Sequence, residues 1–238
     1  MEKDYLIAGL RVRMDSFGRT EQQAAPYEIE KAGEPDIQIR SAAWYLKQAQ
    51  PELDEETCEY IATGVSFYRQ LPRHNAMIVH SSAVVMDGYA YLFSAPCGTG
   101  KSTHTGLWQE AFGADRAQIL NDDKPALRLE NGRWYAYGTP WSGKTSMNIN
   151  MRVPLGGICV LTRGETNEIA PFGGVAAIKE LLEQTTRIGG EESRGKLLEL
   201  VGDLVSNVPL WKLKCNPTTD AAKVSHKAMS EEAKKRFG

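Results

Sequence analysis

Residues 89–104 read Tyr89-Ala90-Tyr91-Leu92-Phe93-Ser94-Ala95-Pro96-Cys97-Gly98-Thr99-Gly100-Lys101-Ser102-Thr103-His104. An apolar run of strand character enters a turn punctuated by two glycines, and a helical stretch from Ser102 to Phe112 follows it. That order has a physical meaning. A helix N-terminus presents unpaired N–H groups and about half a positive charge, and a glycine loop ahead of it lines up further backbone N–H groups as an anion cradle. The octamer Ala95 to Ser102 fits the phosphate-binding pattern G-x-x-x-x-G-K-[ST], with Ala95 at the first glycine. In that pattern Pro96, Cys97, Gly98, Thr99, Gly100, Lys101, Ser102 and Thr103 surround a nucleotide triphosphate. Lys101 reaches the outer phosphates and the Ser102 hydroxyl ligates Mg2+. The competing reading is a plain glycine-rich turn. Cys97 reads either as a small filler or as a thiol that bound ATP would shield from alkylation.

The flanks supply strands and more chemistry. Ala76 to Met86 and Tyr89 to Ala95 are strand-like runs around Asp87-Gly88, and Ala126 to Leu129 and Trp134 to Tyr137 flank Asn131-Gly132. Both dipeptides suit hairpin turns whose central residues need positive φ. After Gln118-Ile119-Leu120, read as the end of an interior strand, comes Asn121-Asp122-Asp123-Lys124-Pro125. One carboxylate there would serve magnesium and the other would take a proton from an attacking hydroxyl; without the loop upstream the same residues read as a solvent-facing turn. Gly138-Thr139-Pro140-Trp141-Ser142-Gly143-Lys144 forms a punctuated loop. Trp141, Lys144 and, further on, Arg152 are candidate substrate contacts, with Trp141 equally a core plug under the loop. His80 stands just before the loop strand, placed for the phosphates or Asp122 or else buried structurally, and His104 gets no role.

The rest of the chain frames this centre. Leu6 to Met14 reads as one half-buried strand, Asp36 to Ile39 as a short one, and Asp54 caps a helix ending at Leu71. Gly156 to Thr162 reads as an interior strand. Amphipathic helices follow, one on Ile178, Leu181, Leu182, Thr185 and Ile188, another on Leu197, Leu198, Val201, Leu204 and Val205. Trp211 to Cys215 alternates as a strand and a closing helix starts near Thr219. Strands outnumber the helices between them, which predicts a mixed α/β fold. Residues 1–72 read as a small β-rich lead-in plus helix packed on the core, and residues 73–238 as the nucleotide-binding domain.

Composition narrows the partners. The 238 residues carry 42% hydrophobic and 24% charged side chains and a net charge of -2, with Lys and Arg scattered singly, so neither nucleic acid nor a membrane surface is expected. No apolar run reaches membrane-helix length and the first residues do not read as a signal peptide, which predicts a cytoplasmic protein, monomeric or homo-oligomeric. Cys58, Cys97, Cys159 and Cys215 form no close pair and the four histidines lack helical zinc spacing, so any metal is expected to arrive with nucleotide.

In this order, Val79-His80-Ser81-Ser82, the glycine loop, Asp122-Asp123 and Gly138-Thr139-Pro140-Trp141 resemble the HPr serine kinase family, whose nucleotide-binding core is shared with ATP-dependent phosphoenolpyruvate carboxykinase. The resemblance spans roughly residues 76–215. It implies a mixed α/β P-loop domain with a mixed sheet, β-hairpins and flanking helices. It also implies a kinase using ATP and Mg2+ in which His80 assists Asp122 as general base while Asp123 and Ser102 hold the metal, the two aspartates being able to exchange roles. The implied acceptor is a serine of a protein or ribosomally made peptide. A small-molecule kinase acting on a free amino acid or hydroxyl metabolite, and a nucleotide-binding regulator without turnover, are the alternatives.

Overall fold

The structure is a computed structural model that describes residues 2–185 and 190–237. Ile188, placed above on the first amphipathic helix, lies outside the described residues.

The chain opens with β1 (Lys3–Ile7) and β2 (Leu10–Met14), paired antiparallel. The single strand expected over Leu6 to Met14 is thus a hairpin. Its turn is Ala8-Gly9, at φ of 54° and 69°, and a left-handed alanine is a cost that propensity does not anticipate. α1 (Gly18–Ala24), β3 (Glu28–Ile29), β4 (Ile37–Ile39), α2 (Ala43–Ala49) and α3 (Glu55–Gln70) complete this part. The small sheet has the order β3-β1-β2-β4. Asp54 caps α3 by accepting from the Thr57 N–H at 2.7 Å. The buried face of the small sheet, with Tyr5, Ile7, Val12 and Ile37, shares one core with Phe67 and Leu71, and with Tyr137 and Trp141 from far downstream.

The larger sheet is built from β5 (Ala76–Ile78), β6 (Ser81–Met86), β7 (Tyr89–Ser94), β8 (Gln118–Asn121), β9 (Ala126–Glu130), β10 (Arg133–Tyr137), β11 (Arg152–Arg163), β12 (Glu168–Pro171) and β13 (Leu210–Cys215). Its main path runs β5-β9-β10-β11-β7-β6-β8, with β13 also on β11 and β12 on β13. Both two-residue turns form as their chemistry requires, with Asp87 and Gly88 at φ of 52° and 82° and Asn131 and Gly132 at 49° and 77°. The expected strand Ala76 to Met86 breaks at Val79-His80, because β5 pairs with β9 while β6 pairs with β7 and β8. β11 is longer than its apolar run: its first half is antiparallel to β10, its second half parallel to β7 and β13. The register shifts between Leu155 and Gly157, where a Cβ on Gly157 would come 2.4 Å from Trp211.

Side-chain alternation along β7 divides the interior. Leu92 joins Ile158 under α5 (Gly174–Glu183) and α6 (Glu191–Asn207) with Leu181, Leu197 and Val201. Phe93 faces the other way, with Cys159 and Leu213, toward α4 (Lys101–Phe112) and α7 (Thr219–Phe237) with Trp108 and Met229. Helices therefore cover both faces of a mixed sheet, a mixed α/β fold. β8, expected in the interior, is the edge strand beside β6, and its outer side is closed by backbone bonds from Ile149 N to Leu120 O (3.0 Å) and Asp122 N to Met147 O (3.2 Å). Among the described residues no helix is long and apolar enough to cross a membrane.

Candidate functional site

β7 ends at Ser94, whose hydroxyl donates to the His80 carbonyl at 3.0 Å, and the chain turns through Ala95 to Gly100 into α4. Gly98 and Gly100 take φ of 76° and 121°, conformations that favour glycine, and a Cβ on Gly98 would meet nothing within 4 Å. Glycine is therefore selected at Gly98 by backbone shape rather than by crowding. Pro96, Cys97, Gly98, Ser102 and Thr103 are exposed, Thr99 and Gly100 half-buried. Arg163, at the end of β11, fastens the loop by donating from Nη2 to the Gly98 carbonyl at 2.5 Å and from Nε to the Thr99 carbonyl at 3.4 Å. Lys101 is 8% exposed and folds back to donate to the Ala95 carbonyl at 3.0 Å. Burial holds its ammonium below the ordinary value, Lys124 adds to this, and Asp123 opposes it.

The acidic doublet follows β8 and is not a solvent-facing turn. The Asn121 side-chain oxygen accepts from the backbone N–H groups of Asp123 (3.0 Å) and Lys124 (2.7 Å), and its amide donates to the Thr139 carbonyl at 2.9 Å. Asp122 is buried, and its Oδ1 accepts from the Ser82 hydroxyl at 2.7 Å. With its proton on Asp122, Ser82 accepts at 2.8 Å from the Thr105 hydroxyl, so two hydroxyls in series tie the carboxylate to α4. Asp123 lies instead against His80 (Nε2 to Oδ1, 2.9 Å) and Lys124 (Nζ to Oδ2, 3.2 Å). Burial raises the Asp123 carboxyl, but His80 and Lys124 outweigh it and hold the group below its ordinary value. The histidine thus pairs with Asp123 rather than Asp122, the exchanged arrangement that the resemblance left open. The two carboxylates therefore face different partners, and one doublet addresses two places.

The loop after β10 corrects the substrate candidates. Trp141 is 1% exposed, stacked on Phe67 at 4.9 Å and edge-on to Tyr68 at 5.6 Å, with its indole N–H donating to Thr63. It is the core plug, with no face left for a substrate. Arg152 lies over the Tyr135 ring at 3.5 Å and pairs with Glu130 at 2.8 Å. It sits at the far end of β11 from Val160, the residue level with Ser94, roughly 25 Å of strand away from the glycine loop. Lys144 is exposed on the loop itself. Next to it Gly143 presses on the doublet: its N–H donates to the Tyr60 hydroxyl at 3.0 Å, and a Cβ there would come 2.8 Å from the Asp123 Cβ.

A family model, described as SynChlorMet cassette protein ScmC, matches residues 48–221 of this arrangement. The chain belongs to the ScmC family. No curated protein matches it. Among solved structures, the HPr(Ser) kinase/phosphatase from Coxiella burnetii is similar over 68% of this chain and 99% of its own, at 11% identity and a TM-score of 0.40.

In this ScmC chain two features of the site had no signal in the sequence. Tyr60, on α3, reaches the doublet through Gly143, and Arg19, on α1, lies over the Tyr60 ring at 4.1 Å. Nothing in a helix's own pattern announces which distant loop it will touch. Beside the glycine loop, a cleft of about 430 Å³ is lined by Thr103, Leu107, Leu161, Arg163 and Pro217 among others. His104, on its inner wall, is buried, bonded to the Ser225 hydroxyl at 2.9 Å and pushed down to about 4 by burial. Among the described residues no group of three or more His, Cys, Asp and Glu side chains is arranged to hold a metal ion. The Ser102 hydroxyl and the Asp122 carboxylate are hard oxygen donors. Two such donors suit Mg2+, which keeps waters and substrate phosphates in its remaining positions.

Proposed function

We propose that this ScmC chain is an ATP- and Mg2+-dependent kinase built on a P-loop domain, transferring the terminal phosphoryl group to a serine hydroxyl of a protein or peptide. The observation that carries the reading is the half-buried carboxylate of Asp123, held by His80 at 2.9 Å, on the doublet that Ser82 and Thr105 tie to α4. In this reading residues 73–238 perform the transfer, and residues 1–72 form a layer that reaches it through Tyr60.

The backbone from Pro96 to Thr103 cradles the phosphates and Lys101 leaves the Ala95 carbonyl for them. Ser102 and Asp122 would hold Mg2+, which when bound would supply positive charge against that of the phosphates. The cleft between Leu107, Leu161 and Pro217 takes the nucleoside. Asp123 accepts the proton of the acceptor hydroxyl while the new O–P bond forms. The bond from phosphorus to the bridging oxygen breaks, and ADP leaves with its electron pair. His80 orients Asp123. Of the two assignments that the resemblance left open, this takes Asp123 as base and Asp122 as metal ligand. Transfer of this kind needs positioning and charge stabilisation and no covalent intermediate, so the set suffices.

The experiment is transfer from γ-labelled MgATP to serine peptides and to free hydroxyl metabolites, with product identification by mass spectrometry. Wild type labels a serine peptide, and Lys101→Ala loses on the order of a hundred- to a thousandfold in rate. Full transfer by Lys101→Ala, or no labelled product from any acceptor, overturns the assignment. Label appearing on a free metabolite alone replaces the peptide acceptor with a small one.

A further inference from the structure

Lys124 follows the doublet and has no part in the roles assigned so far. Its backbone is fixed on both sides: the N–H donates to the Asn121 side chain at 2.7 Å, the carbonyl accepts from the Thr139 hydroxyl at 2.8 Å, and Pro125 follows. Its side chain is a flexible four-carbon stem, 24% exposed, ending 3.2 Å from Asp123 Oδ2. With His80 on Oδ1, both oxygens of Asp123 are engaged by cationic or proton-bearing groups. Each oxygen keeps a further lone pair, but a carboxylate with an ammonium 3.2 Å away takes up a proton less readily than one without it. Lys101 is held by a carbonyl in the same way, and the two ammoniums repel across the space beside Asp123. Two lysines converging on one place, each resting on a neutral or acidic acceptor of its own chain, fit a ligand carrying concentrated negative charge.

We propose that Lys124 binds the terminal phosphoryl group of the nucleotide, and that in moving to it releases Asp123 Oδ2 for the acceptor proton. The proposal rests on the kinase reading above. Its consequence is order: the carboxylate becomes free only when a nucleotide with a third phosphate is in place, so ADP leaves Lys124 on Asp123 and the base engaged.

The test compares the binding of ADP and of the non-hydrolysable β,γ-imido analogue of ATP, by calorimetry, to wild type, Lys124→Met and Lys124→Arg. Wild type binds the triphosphate analogue more tightly. Lys124→Met loses about tenfold or more of that affinity, as expected for a charged hydrogen bond, and keeps its ADP affinity within about twofold. Lys124→Arg keeps the preference. An unchanged ratio in Lys124→Met, an equal loss of both nucleotides, or a wild type with no preference for the third phosphate overturns the proposal while leaving the kinase reading standing. Wild type that binds neither nucleotide overturns the kinase reading itself. Should Lys124→Met fail to fold, Lys124→Gln carries the same comparison.

Discussion

Glu59 is fully buried on α3, with the Thr20 hydroxyl on one carboxyl oxygen and no partner for the other. Burial, helped by Asp15 and Glu56, pushes it up to about 7. The unfolded chain releases this proton near 4.5 while the folded chain keeps it, so the stability that Glu59 contributes is complete below about 4.5 and is lost as pH rises to about 7. His104 slopes the other way, since the folded chain resists its protonation down to about 4 and loses stability as pH falls from 6.5. The difference in melting temperature between wild type and Glu59→Gln isolates the glutamate. It is small near pH 5 and grows in favour of the variant toward pH 8, and a flat difference would remove the assignment. Such residues show the limit of sequence at this scale. A glutamate in a helix pattern carries no mark of burial, and Trp141 read equally as plug or grip because its neighbours Phe67 and Tyr68 arrive from α3. The glycines at Gly98 and Gly100 were legible, because their requirement is a local backbone conformation.

Elements whose signals are local were also legible: the two hairpins, the Asp54 cap, and the order of strand, loop and helix around Lys101. α2 was missed because it is a short helix with no buried residue and hence no stripe to read. The edge position of β8 and the partnership of His80 with Asp123 were missed for another reason. Both depend on which strands pair and in what register, and pairing is a property of several segments together. The join between β10 and the loop is tight: a Cβ on Gly138 would come 1.9 Å from the Ile149 carbonyl oxygen and 2.9 Å from that of Leu120. Both are backbone atoms and cannot move aside as a flexible side chain would. Gly138→Ala therefore destabilises by roughly 2 kcal/mol or more, a strained-packing cost, readable as a lowered denaturant midpoint. Wild-type stability in that variant would show that the loop is looser than described.

Across the molecule, the glycine loop is anchored from behind by the end of the chain. Ser225 on α7 bonds His104 at 2.9 Å and Trp108 at 3.0 Å, both on α4. Ser225→Ala leaves two buried ring nitrogens without that partner, at about 1–3 kcal/mol for each group left unsatisfied. Hydrogen exchange in α4 should accelerate more than in α5 or α6. Equal acceleration everywhere would mean that α7 only adds global stability. The family match ends at residue 221, early in α7.

The segment after Gly138 serves two masters. Its Met147 and Ile149 backbone groups close the outer side of β8, and its Gly143 presses on Asp123. Tolerance of substitution is therefore uneven along it. The exposed side chains of Lys144 and Ser146 carry neither duty and can be exchanged without disturbing them. A change of length between Met147 and Ile149 would open a bare strand edge to a second copy of the protein. Changes to this segment that leave the sheet edge closed are thus confined to a few exposed residues.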